Sequence, residues 1–415
     1  MPDPGNPRSA LRALLDRVES ASPVQVVEVV ASELAALFGA GEVSFLIADF
    51  SGRAVFRMGR AQAGGTGAGT RFPGAEQVQL KGTVYERVLV SQRVDVRTVG
   101  GTAQLTIPVT NRGDAIGLLQ LDLPYEPDEE VVADLATAGH ALAYVVVANR
   151  RHTDLFEWGQ RSAPFSLAAE IQRRLLPGAF TCEAGQFTIA GWLEPASSVA
   201  GDTFDYTLDQ HSLQVSITDA VGHDVAAAVL ATVLVGSLRN ERRRGADLAV
   251  QVGKANDALA EHSTTGQFVT GQVLNVDLAS GVGTIVNAGH PLPLRLRDGR
   301  VEEVELEIDV PFGLAAGTAY RLQRFPLEAG DRIVFLTDGM VERQAEHTDL
   351  RARLARSAGM HAREVVHALG DAVVDATGGD LRDDATVVCL DWHGGPPRPR
   401  LSSAGADTGT GGPGA

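Results

Sequence analysis

The sequence predicts an α+β protein of two domains. Its 415 residues exceed the ~100–150 residues of a common single domain, and longer chains usually divide into separate cores. The first part mixes helical and strand periodicities. Beyond Gly178 strand-like runs dominate, with long helices set between hairpins, which points to two antiparallel sheets flanked by helices. Four short acidic clusters in that second part, Gly201-Asp202, Asp219-Ala220, Asp338-Gly339 and Asp383-Asp384, each stand where a strand pattern begins or ends.

Residues 1–10 contain Pro and Gly instead of a basic stretch and an apolar core, and read as a flexible terminus without a signal peptide. Residues 11–127 read as a module of sensor size. Leu11, Leu14, Leu15 and Val18, then Val27, Val30, Leu34 and Leu37, recur at helical spacing and predict two leading helices. Strands are predicted over Val43 to Phe50 and Ala54 to Met58, joined at Ser51-Gly52, and a Gly- and Thr-rich loop follows from Ala61 to Thr70. A helix around Thr83 to Val90 precedes paired strands Gln104 to Val109 and Ala115 to Asp122, linked by the turn Asn111-Arg112-Gly113-Asp114.

Residues 128–178 form a predicted helical connection. Val131, Leu135, Ala138, Leu142, Val145 and Asn149 step by four and three residues in alternation, the spacing of a coiled-coil seam. The polar Asn149 could set the register of a homodimer, and a helix packed on its own domain explains the same residues equally well. A second helix, Leu167 to Leu176, carries Ile171, Leu175 and Leu176 on one side and stops at Pro177-Gly178. Over residues 179–393, strands are predicted at Phe187 to Leu193, Tyr206, Leu213 to Ile217, Phe268 to Val276, Gly283 to Val286, Leu292 to Leu296, Val301 to Leu306, Ile333 to Leu336 and Ala385 to Leu390. Helices fall at Val225 to Leu238, Leu248 to Glu261 and Ala362 to Ala376. In residues 394–415 Gly, Pro, Ser and Ala dominate, and this tail is expected to be disordered.

A formal net charge of −16 disfavours nucleic acid and anionic membrane as partners, because phosphate polyanions are bound by clustered Lys and Arg. Cys182 and Cys389 are the only cysteines, which leaves no disulfide framework and fits a reducing cytoplasm. The most apolar segment, Val225 to Leu238, is shorter than the ~20 residues that span a bilayer and is followed by Arg239 and Arg242 to Arg244. It reads as a buried helix.

Ionised carboxylates are rarely buried unless paired or coordinating a cation, so four clusters brought to the ends of strands read as a metal site. Oxygen-only ligands select hard divalent ions, Mn²⁺ or Mg²⁺. The alternating run Leu213 to Ile217 delivers Asp219 at its end, followed by Gly222-His223-Asp224 and the apolar helix. This makes Asp219 the leading ligand. Ile333 to Leu336 delivers Asp338-Gly339 in the same manner.

Five ordered segments then make the reading specific: Val199-Ala200-Gly201-Asp202-Thr203-Phe204-Asp205, Asp219-Ala220-Val221-Gly222-His223, Asn287-Ala288-Gly289-His290-Pro291, Phe335-Leu336-Thr337-Asp338-Gly339-Met340-Val341-Glu342 and Asp383-Asp384-Ala385-Thr386. Together they resemble the motif set of the bacterial metal-dependent serine/threonine protein phosphatases, the type 2C-like enzymes of the sporulation and stress-response branch that act on regulators of sigma factors. They cover about Gly185 to Trp392. The run Ala169-Glu170-Ile171-Gln172-Arg173-Arg174-Leu175-Leu176-Pro177 is similar to the helix that precedes the domain in that family.

The resemblance implies an α-β-β-α sandwich and hydrolysis of phosphoserine or phosphothreonine in an anti-sigma-factor antagonist. It implies two Mn²⁺ or Mg²⁺ ions bridged by Asp219, with the Ala220 carbonyl and Asp202 completing one site and Asp338 and Asp383 the other. Asp219 and Asp338 would serve catalysis by a metal-bridging hydroxide that attacks phosphorus in line. Asp224 and Asp384 are candidates for contacts to those ligands. Ala200-Gly201-Asp202 stands where the family commonly has Gly-Gly-Asp, and Gly222-His223-Asp224 where it has Gly-His-Gly; neither change removes a ligand. Asp224 could instead cap the helix beginning at Val225. His223 and His290 read as structural, not as the general acid. Residues 11–149 resemble a GAF-type sensor in element order, with no ligand motif and no Cys for a thiol-linked chromophore, so the small-molecule or protein signal is unidentified.

Two other readings compete. A catalytically silent regulator of the same fold would bind a phosphorylated partner, but the retained carboxylates argue against it. A diguanylate cyclase is suggested by Ala200-Gly201-Asp202-Thr203-Phe204, where Thr203 replaces a needed carboxylate and the Asp338 and Asp383 clusters are left without a role.

Overall fold

The computed structural model describes residues 16–62, 76–161, 165–195, 201–222, 224–264, 266–341, 349–378, 381–396, 400 and 402–407. The predicted flexible terminus and most of the predicted Ala61 to Thr70 loop lie outside them. The chain divides into two units, Met1–Pro164 with Leu401–Thr408 and Phe165–Arg400 with Gly409–Ala415.

The first unit is built on a six-stranded antiparallel sheet in the order β3-β2-β1-β6-β5-β4, with β1 Glu42–Ala48, β2 Ala54–Gln62, β3 Gln77–Gln79, β4 Asp95–Val99, β5 Thr102–Asn111 and β6 Asp114–Leu123. Side chains alternate across a strand, and β1 shows the result. Phe45 and Ile47 join the core beneath helix α1, Val26–Phe38, while Leu46 and Ala48 join a second cluster with Val88 and Leu89 of helix α2, Val84–Ser91. Helix α3, Glu129–Asn149, lies on the α1 face and buries Leu135, Gly139, Leu142, Ala143 and Val146, and a short helix α4, Leu155–Gly159, follows it. A Cβ at Gly139 would stand 2.9 Å from both the Ile107 side chain and the Pro108 carbonyl.

These contacts favour packing of α3 on its own domain, one of the two readings left open for the predicted seam. Leu135 and Leu142 are taken up by the unit's own sheet, and Asn149 Nδ2 donates to Val145 O at 2.9 Å within the same helix. A 3.5-residue spacing cannot distinguish a partner helix from a sheet as the surface that receives it. The segment Glu129–His152 is long and apolar enough to cross a membrane, with a mean hydropathy of 1.7, and 28% of that window is buried.

The second unit contains two antiparallel sheets, ordered β15-β12-β11-β10-β9 and β14-β13-β16-β17-β8-β7. The first comprises β9 Asp202–Leu208, β10 Ser212–Ala220, β11 Val269–Asp277, β12 Val282–Ala288 and β15 Gln323–Pro326. The second comprises β7 Thr181–Glu183, β8 Phe187–Glu194, β13 Leu294–Arg297, β14 Arg300–Glu303, β16 Asp331–Leu336 and β17 Ala385–Trp392. Leu213, Val215, Ile217, Leu274 and Ile285 meet Phe187, Ile189, Ile333, Phe335 and Val388 between the sheets.

The outer face of the first sheet packs on α6, Asp224–Arg243, and α7, Leu248–His262, while α8, Leu350–Arg356, and α9, Ala362–Thr377, cover the second. The layers are therefore α-β-β-α. Helix α5, Leu167–Leu175, capped by Ser166, leads into the unit and packs on α6. The short edge strands β7 and β15 carry too few residues to show a period in the sequence.

The described part of the tail departs from the expected disorder, while residues 397–399, 401 and 408–415 lie outside the described residues. Ser402–Ser403 and Ala406–Asp407 pair as β18 and β19, and the chain before them is held by Gln186, whose backbone carbonyl accepts from His393 N at 2.8 Å and whose Nε2 donates to Gly395 O at 2.8 Å. Composition lowers the drive to fold, but specific hydrogen bonds override it here.

Candidate metal centre

The site lies at one end of the sandwich because β9 and β10 are antiparallel neighbours that place Asp202 opposite Asp219. Asp202 is 2% exposed, and its Oδ2 accepts hydrogen bonds from Thr337 Oγ1 and Thr386 Oγ1, each at 2.7 Å. Thr337 follows β16 and Thr386 belongs to β17, so this carboxylate joins the first sheet to the second. Thr337 N also donates to Thr386 O at 3.1 Å, and Thr386 N to Thr337 Oγ1 at 3.0 Å.

Asp384, 1% exposed, receives Gln172 Nε2 at 2.6 Å and Gly201 N at 3.0 Å on its Oδ2. Gln172 Nε2 also donates to Asp202 O at 2.8 Å. A glutamine of α5 thus fastens the Asp202 loop to the start of β17. Asp383 is more exposed than Asp384, and its Oδ1 accepts from Asp384 N at 2.9 Å.

Two glycines let backbones approach closely here. A Cβ at Gly201 would fall 2.5 Å from Ala220 O, and one at Gly339 would fall 2.0 Å from Asp384 O. Both lie under any real Cβ contact, which accounts for the Gly-Asp and Asp-Gly order of the motifs.

The electrostatics are those of like charges held together. Burial raises the Asp202 carboxyl well above the usual range, and Asp219 and Asp384 raise it further against the lowering effect of the two threonine hydroxyls. Asp219 is pushed up to about 7, first by burial and then by Asp338, Asp383 and Asp384. A proton or a cation relieves such a cluster.

All donors are hard oxygens, the set that suits Mn²⁺ or Mg²⁺. Among the described residues no three His, Cys, Asp or Glu side chains form a group that could hold an ion, so the fit to a cation rests on charge and donor type. Asp202 and Asp219 are paired across β9 and β10, Asp338, Asp383 and Asp384 lie near enough to Asp219 to raise its carboxyl, and Ala220 stands beside Gly201. Asp224 is the first residue of α6; its side chain and all of His223 lie outside the described residues.

His290 is 1% exposed, with Nδ1 3.0 Å from Thr270 Oγ1 and its backbone N donating to Asn287 Oδ1 at 2.8 Å. Burial lowers its pKa to about 3, so the ring is neutral and holds the loop. Sequence reasoning missed Gln172, Thr337 and Thr386. One signal was available: Ala168, Gln172 and Leu175 share the buried face of α5, and a glutamine on such a face must have a partner.

The family model for stage II sporulation protein E (SpoIIE) matches residues 209–393. Two proteins of Bacillus subtilis (strain 168) are similar. Phosphoserine phosphatase RsbU is 22% identical over 231 residues, 54% of this chain and 68% of its own length. Phosphoserine phosphatase RsbP is 24% identical over 187 residues, 42% of this chain and 44% of its own. The solved structure of the RsbU and RsbW domains of Rv1364c from Mycobacterium tuberculosis matches 55% of this chain and 63% of that one, at 26% identity and a TM-score of 0.44.

Proposed function

We propose that the second unit, which matches the SpoIIE family model over residues 209–393 and is similar to the phosphoserine phosphatases RsbU and RsbP, removes phosphate from phosphoserine or phosphothreonine in a partner protein. The observation that carries this reading is the convergence of Asp202, Asp219, Asp338, Asp383 and Asp384 from both sheets on one end of the sandwich. A protein has little reason to keep such repulsion without a cation to offset it.

Asp202, Asp219, Asp338, Asp383 and the Ala220 carbonyl would hold two Mn²⁺ or Mg²⁺ ions. When bound, these would supply charge neutralisation and Lewis acidity at the phosphoryl oxygens. Asp219 raises the Asp202 carboxyl and is itself raised by Asp338 and Asp383, which suits a shared ligand. Thr337 and Thr386 fix the rotamer of Asp202. Asp384, accepting from α5 and from the Gly201 backbone, orients the loop and leaves the ligand role to Asp383.

The substrate we propose is a phosphorylated regulator of the anti-sigma-factor antagonist type. The first unit would act as a GAF-like sensor of a small-molecule or protein signal in the cytoplasm. The silent phosphoprotein-binding alternative is less favoured, since every carboxylate of the set is present.

The test is phosphate release by the full chain from an aryl phosphate and a phosphoserine peptide, with Mn²⁺ or with EDTA. Loss of an outer partner of a metal ligand costs ~10–100-fold, so Asp219→Ala is expected to lose at least about 100-fold. Absence of turnover by protein that binds Mn²⁺ would support the silent regulator instead.

A further inference from the structure

Residues 304–322 connect β14 to β15 without a helix or strand of their own. A connection longer than ~12–15 residues is uncommon, and is either held for a function or left disordered. This one is held. Asn256 of α7, 0% exposed, accepts from Gly313 N and from the Tyr320 hydroxyl, each at 2.9 Å, and donates from Nδ2 to Ala315 O at 2.9 Å. Asp257 accepts from Gly317 N at 2.8 Å, and the Phe312 and Tyr320 rings meet at a centroid distance of 4.8 Å. Arg321 binds Asp309 through its backbone N at 2.8 Å and through Nε at 2.7 Å.

What this framework displays is apolar. Ile308, Val310 and Leu314 are each 50% exposed or more, while Phe312 is buried. Single apolar residues on a surface are ordinary, whereas several presented together by one fixed segment mark a contact surface.

The segment is also in register with the candidate metal centre. Ala220 pairs with Val269, and beyond the end of β12 at Ala288 it is Phe312 that bridges to Val269, with backbone hydrogen bonds of 3.0 and 2.9 Å. Two strand spacings of about 4.8 Å put Phe312 about 10 Å from Ala220. Val221, directly after Ala220, is exposed as well and donates from its N to Phe268 O at 3.1 Å, so apolar surface borders the metal centre itself.

We propose that residues 308–314 form a docking surface for the phosphorylated partner and receive an apolar side chain about three residues from its phosphoserine, since an extended chain advances about 3.3–3.6 Å per residue. The inference rests on the phosphatase reading of the second unit and names what that activity selects. A segment that delivers a phosphoserine to Asp202 and Asp219 passes this rim. A surface already fixed by Asn256 and Asp257 needs little ordering before it binds.

The full chain with Mn²⁺ tests this on phosphoserine peptides carrying leucine three residues before or after the phosphoserine, on the same peptides with serine there, and on an aryl phosphate. One leucine peptide is expected to have a kcat/KM at least about tenfold higher than its serine counterpart, the lower end of what burial of a leucine supplies. Val310→Ser combined with Leu314→Ser should reduce that ratio to within about twofold, and Ile308→Ser alone should lower it in smaller degree. Turnover of the aryl phosphate with no preference among peptides overturns the docking and leaves the phosphatase reading standing. A preference that all these variants retain also overturns it. A wild-type dimer that the double variant dissociates in sedimentation assigns the surface to a second copy instead. Absence of turnover on every substrate overturns the phosphatase reading, and the docking with it.

Discussion

Replacing Gln172 by Leu tests how the carboxylate cluster is held. Leucine keeps most of the volume on the buried face of α5 but removes the donor to Asp384 Oδ2 at 2.6 Å and to Asp202 O at 2.8 Å. A hydrogen bond to a charged acceptor is worth about 1.5–3 kcal/mol and one to a carbonyl about 0.5–1.5, so the loss is about 2–4.5 kcal/mol. Asp384 keeps the Gly201 N–H at 3.0 Å and a long contact to Asp202 N at 3.4 Å, which limits the damage. Part of the cost falls on stability and part on the placement of Asp202 and Asp383. Partners of this kind change metal affinity by ~10–100-fold. Calorimetric titration of the full chain with Mn²⁺ should show that weakening, together with a lower melting temperature in EDTA. Mn²⁺ affinity and kcat within about twofold of wild type, with only the melting temperature reduced, would refute the argument and leave Gln172 as a packing residue.

Two further outcomes follow from buried charge. The Asp219 carboxyl is raised from 3.8 to about 7 when folded, so the folded state binds the extra proton between those values. Stability in EDTA should therefore fall as pH rises from about 4 to about 7, a limb that Asp219→Asn flattens and Mn²⁺ offsets. Thermal unfolding across pH measures it, and a rise in stability over that window contradicts the assignment. Arg332, 0% exposed, binds Asp391 through Nε at 2.6 Å and Nη2 at 2.8 Å. Arg332→Ala strands Asp391 and is expected to cost about 3–5 kcal/mol in denaturant unfolding; a cost under about 1 kcal/mol would mean that water reaches this pair.

What the sequence disclosed and what it withheld divide along physical lines. Strands such as Leu213 to Ile217 were legible because apolar Leu213, Val215 and Ile217 alternate with polar Gln214 and Ser216, although both faces are buried, and the carboxylates at their ends stood out because chemistry, not packing, places them there. Gln172, Thr337 and Thr386 are ordinary residue types. Their roles come from partners as far as 212 residues away in the chain, a separation that no local pattern encodes. The 3.5-residue seam of α3 was legible as apolar, but its spacing left a partner helix and its own domain as equal alternatives, and only the burial of Leu135 and Leu142 favours the second. Residues 394–396, 400 and 402–407 were misjudged because composition reports on apolar content, whereas Gln186, Glu183 and Gly113 hold Gly395, Arg400 and Gly405 through individual polar contacts.

The bridge from Asp202 to Thr337 and Thr386 bears on how variants at this position should be interpreted. A substitution there removes a candidate ligand and also unlatches the two sheets at one rim, so an inactive Asp202→Ala protein would report opening of the layers as readily as loss of chemistry. Asp338 and Asp383, which lie nearer the solvent, are the cleaner positions for dissecting the reaction. Position 202 is better suited to asking how far the layers can part before the rest of the unit melts.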